Sequence, residues 1–157
     1  MAGSEAMDQQ PSAYVAVVGA GADVAPAVLA DAETVGALLA GRGAVVVTGG
    51  LGGVMEAACR GARIAGGTTL GILPGQRRVA ANRWVSVAVA TGMGELRNGL
   101  VVRASDAVIS VAGEYGTLSE IALALKLGLP VVGLGTWEIE GVQRASGPAA
   151  AVALALG

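Results

Sequence analysis

The chain has 157 residues, enough for one domain with its own core, and its net charge of -2 provides no overall positive field to attract nucleic acid. Because it has no histidine and a single cysteine, Cys59, the sequence excludes Ser-His and Cys-His nucleophile pairs, histidine-ligated zinc and an internal disulfide. We therefore predict no metal site, no cofactor and no nucleic-acid partner.

The first dozen residues, MAGSEAMDQQPS, are polar and contain no apolar segment of the signal-peptide kind. We predict a disordered leader over 1–12 and one Rossmann-like nucleotide-binding domain over 13–157. No apolar run reaches the ~20 residues of a membrane span without glycine or charge. A lone cysteine fits a reducing compartment, so we predict a cytoplasmic protein without a membrane partner.

Short apolar runs that end in glycine alternate with helical segments along the rest of the chain. In chain order, the predicted strands lie within 14–23, 44–53, 68–75, 84–91, 106–113 and 130–135. The predicted helices cover 26–41, 54–67, 97–103, 117–128 and 147–157, and the segments 76–83 and 137–147 are expected to be irregular.

This alternation predicts an α/β fold, a three-layer Rossmann-like doubly wound parallel sheet in a single domain. The strands are apolar without polar alternation, as in sheets that are covered on both faces. Ligands of such sheets bind beyond the carboxyl ends of the strands, where the strand order reverses. The glycine clusters at 19–21, 49–53, 74–75 and 113–116 each follow a strand, so we expect all four at that edge.

The first cluster, GAGADV at 19–24, does not support a dinucleotide site. Val24 stands where the third glycine of that motif belongs, and the second strand ends in Thr48 where an acid is expected. The sequence also has no Gly-Lys-Ser/Thr, which excludes a P-loop.

The second cluster, TGGLGGVMEAACRGA at 48–62, has two interpretations. Glycines let the backbone approach an anion, and a helix N-terminus adds unpaired amides, which together suit a phosphate. Turn geometry between a strand and a helix explains the same glycines equally well.

The third cluster lies in VAGEYGTLSE at 111–120. Thr117 and Glu120 have the spacing of a capping box, which by itself accounts for both residues. The box explains neither the preceding glycines nor the segment ELRN at 95–98, which begins another helix at the same edge. A carboxylate cannot both close a capping box and face a substrate, so only one role is open to Glu120.

Three blocks, TGGLGGVMEAACRGA, GMGELRN and GEYGTLSE, occur in an order that resembles the Lonely Guy (LOG) family and its relatives, which include the molybdenum-cofactor carrier proteins. The spacing and the strand end GILPG are most similar to the bacterial branch that contains the carriers. The resemblance covers about 14–135. It implies a nucleotide-binding Rossmann-like protein that forms a homodimer or a larger homo-oligomer.

The LOG signature, Pro-Gly-Gly-x-Gly-Thr-x-x-Glu with an upstream arginine, implies roles for individual residues. It makes Glu120 the catalytic carboxylate and Arg97 the group that holds the phosphate or the departing base. The signature also implies phosphate contacts at Gly113, Gly116 and Thr117. With the glycine clusters and the residues near these motifs, the predicted phosphate and nucleotide contacts are Gly19, Gly21, Gly49, Gly50, Gly52, Gly53, Met93, Asn98, Gly113, Tyr115, Gly116 and Thr117.

The chain departs from the signature at three positions. Ala112 replaces the proline, Glu114 replaces the second glycine, and Asn98 replaces a lysine that many active members have. A carboxylate at 114 that pointed inward would repel a phosphate. These departures bear on catalysis more than on the fold.

Two functions follow from the resemblance. One is a LOG-like phosphoribohydrolase that cleaves the N-glycosidic bond of a nucleoside 5′-monophosphate. The alternative is a non-catalytic carrier of the molybdenum cofactor, a pterin phosphate, or a nucleotide-sensing binding protein. Lysine decarboxylation is rejected, because pyridoxal phosphate requires a lysine at the site and Lys126 lies toward the far end of its helix.

Overall fold

The computed structural model describes residues 12–157, so the predicted leader lies, apart from Ser12, outside the described residues. The strands in this range are β1 (Tyr14–Val18), β2 (Val45–Thr48), β3 (Thr69–Leu73), β4 (Val87–Ala90), β5 (Ala107–Val111), β6 (Val131–Leu134) and β7 (Val142–Arg144). The helices are α1 (Pro26–Gly41), α2 (Val54–Ile64), α3 (Arg97–Arg103), α4 (Tyr115–Lys126) and α5 (Pro148–Leu156), with short 3-10 turns at Arg78–Ala80 and Gly94–Leu96.

The strands form one parallel sheet in the order β4-β3-β2-β1-β5-β6-β7. The chain builds the sheet outward from β1 through β4, then returns to the other side of β1 and continues through β5 to β7. The order therefore reverses between β1 and β5. The predicted doubly wound fold is confirmed.

Helices cover both faces of the sheet, which explains why the strands lack polar alternation. Val15 and Val17 of β1 contribute to a core with α1, α2 and α5. Ala16 and Val18, which point to the opposite face, pack in a second core with α3 and α4. In the described part of the chain, no helix is both long and apolar enough to cross a bilayer.

Besides shifts of up to three residues at other helix ends, two differences from the prediction stand out. The segment 137–147, expected to be irregular, contains β7, which pairs with β6 through Val142, Gln143 and Arg144. This strand has three residues, two of them polar and exposed, so it has no apolar run and forms only because β6 offers a neighbouring edge. The second difference is the start of α4, two residues before Thr117.

Helices α1 and α2 touch through their backbones at two glycines. A Cβ on Gly36 would lie 2.0 Å from the carbonyl oxygen of Ala58, and a Cβ on Gly61 would lie 1.9 Å from that of Glu33. Arg60 Nη2 also contacts Glu33 Oε2 at 2.7 Å. This close packing fixes the position of α2, and with it the N-terminus that α2 presents at the carboxyl edge of the sheet.

We predict that Gly36→Ala and Gly61→Ala each lower the free energy of unfolding by about 1–3 kcal/mol or more, because the added methyl group cannot fit between the helices. Helix propensity alone predicts the opposite sign, a gain of about 1 kcal/mol. Urea unfolding at neutral pH measures the difference.

Gly41→Ala is the matched control, because Gly41 ends α1 and a Cβ there meets nothing within 4 Å. We expect this variant to be as stable as the wild type or slightly more so. Equal stabilities of the Gly36 and Gly41 variants would contradict the close helix contact.

Candidate functional site

A cavity of about 190 Å³ opens at the carboxyl edge of the sheet, beyond the ends of β1, β2 and β5. It therefore lies where the strand order reverses, the position at which doubly wound sheets bind ligands. Both helix beginnings singled out by the sequence, those of α2 and α4, contribute to its walls. The predicted site residues that line it are Gly19, Gly21, Gly49, Arg97, Asn98, Gly116, Thr117 and Glu120.

The other six predicted residues lie in the adjoining loops and do not line this cavity. Met93 and Tyr115 point toward solvent, with 45% and 89% of their surface exposed. Gly113 has a φ of +138° and packs beside Trp137, where a Cβ would come within 2.9 Å of the indole ring. The remaining three are Gly50, Gly52 and Gly53.

These three glycines shape the turn between β2 and α2. Gly50 has a φ of +78° and its N–H donates to Thr48 Oγ1 at 3.1 Å. A Cβ on Gly53 would lie 2.2 Å from the carbonyl oxygen of Ala20, and one on Gly52 would lie 3.0 Å from that of Gly21. Turn geometry and close loop packing therefore explain most of the second cluster, while Gly49 alone among its glycines borders the cavity.

Arg97 is a buried cation that ties two strand ends together. Its side chain is 8% exposed, its Nε donates to the carbonyl oxygen of Ile72 at 2.9 Å, and its Nη2 donates to that of Gly49 at 3.4 Å. A Cβ on Gly49 would lie 2.5 Å from Nη2, so glycine is required for the guanidinium to lie there. Burial lowers the pKa of Arg97, although an arginine remains charged in proteins.

Asn98 completes the set of acceptors around this guanidinium. Its Oδ1 accepts a hydrogen bond from Arg97 Nη1. Because a guanidinium only donates, this bond fixes the orientation of the amide and leaves Nδ2 on the other side. Nδ2 lies 3.6 Å from the place of a Cβ on Gly116, at the cavity wall.

Of the two interpretations of Glu120, the capping box with Thr117 is contradicted by the structure. Helix α4 begins at Tyr115 with Glu114 as its N-cap, and the capping box pairs Glu114 with Thr117. The N–H of Glu114 donates to Thr117 Oγ1 at 3.2 Å. The chain turns at Ala112, with a φ of +49°, so the helix starts earlier than the Thr-x-x-Glu spacing indicates.

Glu120 is consequently free of any capping role and lines the cavity one turn deeper than Gly116. Its side chain is 7% exposed. Within residues 12–157, the ion pairs closer than 4 Å are Arg60–Glu33 and Arg144–Glu138, and neither includes Glu120. The carboxyl thus borders the cavity without a cation in contact.

Burial raises the pKa of Glu120 to about 8, and the positive charge of Arg97 only partly offsets this effect. The carboxyl is therefore mostly protonated at neutral pH while the cavity is empty. Glu114 supplies a carboxylate at the exposed rim. At neutral pH the lining accordingly holds one buried positive charge, one neutral acid and one negative charge at the mouth.

Four apolar lining residues were not predicted, and neither was the role of Glu114 as a wall of the cavity. Val17 and Val18 end β1, while Leu51 and Met55 flank the start of α2. They carry no polar group, so nothing in the sequence separates them from core residues. For Glu114, the departure from the LOG signature was the one feature of the sequence that could have drawn attention to this position.

Comparisons with known proteins agree with this fold. The structure of the molybdenum cofactor binding protein from the phototrophic bacterium Rippkaea orientalis is 37% identical, with a TM-score of 0.86 over 92% of this chain and 95% of that chain. The molybdenum cofactor carrier protein of Chlamydomonas reinhardtii is 34% identical, with a TM-score of 0.82 over 91% of this chain and 95% of that chain.

An uncharacterized protein of Archaeoglobus fulgidus is 50% identical over 103 residues, which make up 66% of this chain and 68% of that protein. The family model described as "SLOG cluster4 family" matches residues 12–154, nearly the whole domain. These matches agree with the LOG-like resemblance of the three sequence blocks. The chain belongs to the SLOG cluster4 family.

Proposed function

We propose that this protein binds a pterin phosphate of the molybdenum-cofactor type in the cavity and carries it without breaking a bond. The observation that carries the proposal is the start of α4, where Glu114 and Thr117 pair with each other and so engage groups that the LOG resemblance assigns to a phosphate. Support also comes from the two solved structures, since their names describe molybdenum-cofactor binding and carrier proteins and they match this chain over nearly its whole length.

Hydrolysis of a glycosidic bond makes different demands on the same residues. The transition state carries positive charge on the sugar and is stabilised by an anionic carboxylate. Without a ligand Glu120 is mostly protonated at neutral pH, and it supplies that anion only if binding ionises it. Arg97 is also engaged by three acceptors inside the protein, which leaves fewer of its N–H groups for a phosphate or a departing base.

Glu114 also argues against a LOG-like phosphate site at the start of α4. Its capping box with Thr117 engages the hydroxyl and one amide of the first helical turn, groups that the LOG resemblance assigns to a phosphate. A negative charge at this rim opposes a second anion nearby. We therefore propose that the phosphate of the ligand lies along the loop that holds Gly19 and Gly21, and not at the start of α4 beside Glu114.

The second candidate is a LOG-like phosphoribohydrolase acting on a nucleoside 5′-monophosphate. One observation favours it: Glu120 and Arg97 line the same cavity, together with Gly116. A ligand that ionised Glu120 on binding would restore the anion that the reaction needs. The two candidates therefore differ in whether a bond is broken after binding.

The predicted homodimer or larger homo-oligomer remains a prediction, as does the absence of a nucleic-acid partner. Light scattering of the purified full chain measures the assembly state directly. A nucleic-acid binding assay at physiological salt tests the second point.

Incubation of the purified protein with AMP and related 5′-monophosphates is expected to release neither free base nor ribose 5-phosphate, while added pterin binds and is detected by its fluorescence. Release of base by the wild type, with loss of that activity in Glu120→Ala and Arg97→Ala, would instead establish the hydrolase. Product analysis by chromatography separates the two outcomes.

We predict that Arg97→Ala weakens pterin binding roughly 10- to 100-fold, about 1.4–2.7 kcal/mol, because Arg97 orients Asn98 and its charge favours the ionised form of Glu120. The change also leaves the carbonyl oxygens of Ile72 and Gly49 without their donor. Arg103→Ala is the matched control, since Arg103 ends the same helix and is exposed. Equal affinities of the two variants for pterin would show that Arg97 does not contribute to binding.

Glu120→Gln is expected to change how stability depends on pH. The pKa of Glu120 rises on folding from its ordinary 4.5 to about 8, so the folded protein retains a proton that the unfolded chain loses in this window. Stability contributed by the protonated acid is therefore present below pH 4.5 and is lost as the pH rises toward 8, by up to about 1.4 kcal/mol per pH unit.

Urea unfolding at pH 5 and pH 8.5 measures this effect. The variant should gain stability relative to the wild type at the higher pH, while the two differ little at the lower one. Glu95→Gln, a change at an exposed position in the same region, should show no such dependence. Parallel pH profiles for the wild type and Glu120→Gln would show that the buried acid is ionised in the folded protein.

A further inference from the structure

The deep end of the cavity holds a carboxyl that no other side chain satisfies. Glu120 is 7% exposed, lines the cavity and takes part in neither ion pair of residues 12–157; burial and the charge of Arg97, with no hydrogen bond, set its pKa. Within the same residues, every fully enclosed side-chain nitrogen or oxygen has a hydrogen-bond partner, so the oxygens of Glu120 are open to the cavity. A group of this kind that faces a cavity is suited to a ligand that supplies the missing donors.

The groups around Glu120 define what such a ligand presents. Arg97, from α3, supplies the nearest positive charge. Asn98 presents its Nδ2 at the cavity wall, because its Oδ1 is held by Arg97. Glu114 and Thr117, from the start of α4, pair with each other at the rim. The deep end therefore offers two carboxyl oxygens and one neighbouring amide donor.

The rest of the lining suits a flat ring. Val17, Val18, Leu51 and Met55 provide apolar walls, while glycines leave the remaining space open. The cavity measures about 190 Å³, and a protein cavity of about 150 Å³ is large enough to hold benzene. The cavity therefore accommodates a ring. It is too small to hold in addition the sugar or side chain and the phosphate of a whole ligand, so the phosphate lies outside it.

We propose that Glu120 and Asn98 recognise a 2-amino-4-oxopyrimidine ring, the ring shared by pterins and guanine. The edge of this ring presents an amino group, a ring N–H and a carbonyl oxygen in a row. The two oxygens of Glu120 accept from the first two groups, and Asn98 Nδ2 donates to the carbonyl. The inference rests on the proposed binding function of this cavity, and it specifies the ring edge to which the protein forms hydrogen bonds.

Pairing of two donors with one carboxyl favours its ionised form. Because Glu120 is mostly protonated in the empty cavity, ligand binding below pH 8 should release close to one proton. Affinity should accordingly rise with pH until about pH 8 and then level off. Arg97, at the same end, favours the ionised form and so assists this exchange.

The test compares GMP with IMP, which lacks only the 2-amino group, and with AMP, whose ring edge places an acceptor beside its amino group. We expect the wild type to bind GMP at least 10-fold more tightly than either, since each hydrogen bond to a charged group contributes about 1.5–3 kcal/mol. Glu120→Gln keeps the shape of the side chain but offers one acceptor in place of two, so the GMP/IMP ratio should fall toward one.

Asn98→Ala should weaken GMP and IMP equally, because both rings carry the carbonyl oxygen. Glu95→Gln is the control and should leave every affinity and the ratio unchanged. Calorimetry in two buffers of different ionisation enthalpy counts the released protons. Equal affinities of the wild type for GMP and IMP, an intact ratio in a folded Glu120→Gln variant, or no binding of GMP and pterin at millimolar concentration would each overturn the proposal.

Binding of free pterin distinguishes recognition of the ring from the proposed carrier function. If pterin binds more tightly than GMP, both ring recognition and the carrier function are supported. Selective binding of GMP with no binding of pterin leaves ring recognition standing and removes the pterin carrier. Release of guanine from bound GMP removes the non-catalytic role while leaving the ring contacts intact.

Discussion

The buried guanidinium of Arg97 is the constraint on which the site depends. It reaches from the start of α3 to carbonyl oxygens at the ends of β2 and β3, and it lies over Gly49, where any larger residue would displace it. Burying a cation costs free energy unless polar partners surround it. Here the partners are the strand ends themselves, so the floor of the cavity and the position of the charge are set by the same hydrogen bonds.

That fixed charge acts on a second buried group without contacting it. Glu120 lies on α4, which shares a core with α3, and burial outweighs the attraction of Arg97 in setting its pKa. The arrangement creates an acid that is neutral when the cavity is empty and ionises when suitable donors arrive. A direct ion pair would have held Glu120 in its charged form and filled the space that a ligand ring requires.

The way α4 begins is what makes Glu120 available. Glu114 and Thr117 satisfy each other at the helix N-terminus, so the acid one turn later does not reach back to a cap. The same pairing places a negative charge at the mouth of the cavity. A single substitution relative to the LOG signature thus changes both the charge at the rim and the groups that remain available for a ligand.

The extent to which the sequence predicts this protein differs between its elements. Six strands were predicted from apolar runs that end in glycine, and five helices from the segments between them. A strand that is buried on both faces is apolar throughout, so its own residues are enough to identify it. β7 was missed because its three residues carry no apolar pattern and owe their conformation to β6. The sequence left Glu120 either a capping role or a role at the site, because Thr117 and Glu120 have the spacing of a capping box. The turn at Ala112 starts α4 earlier and pairs Glu114 with Thr117 instead.

By itself, the sequence determined the fold class and placed the glycine clusters after strands, at the carboxyl edge of the sheet. Both depend on local periodicity, while Arg97 and Glu120 were singled out by the resemblance to the LOG signature. Only the tertiary structure decided which glycines border the cavity, which acid caps α4, and that Glu120 is buried beside Arg97 without contact. Such features depend on distances between elements far apart in the chain, and the free energy of a buried charge depends on everything packed around it.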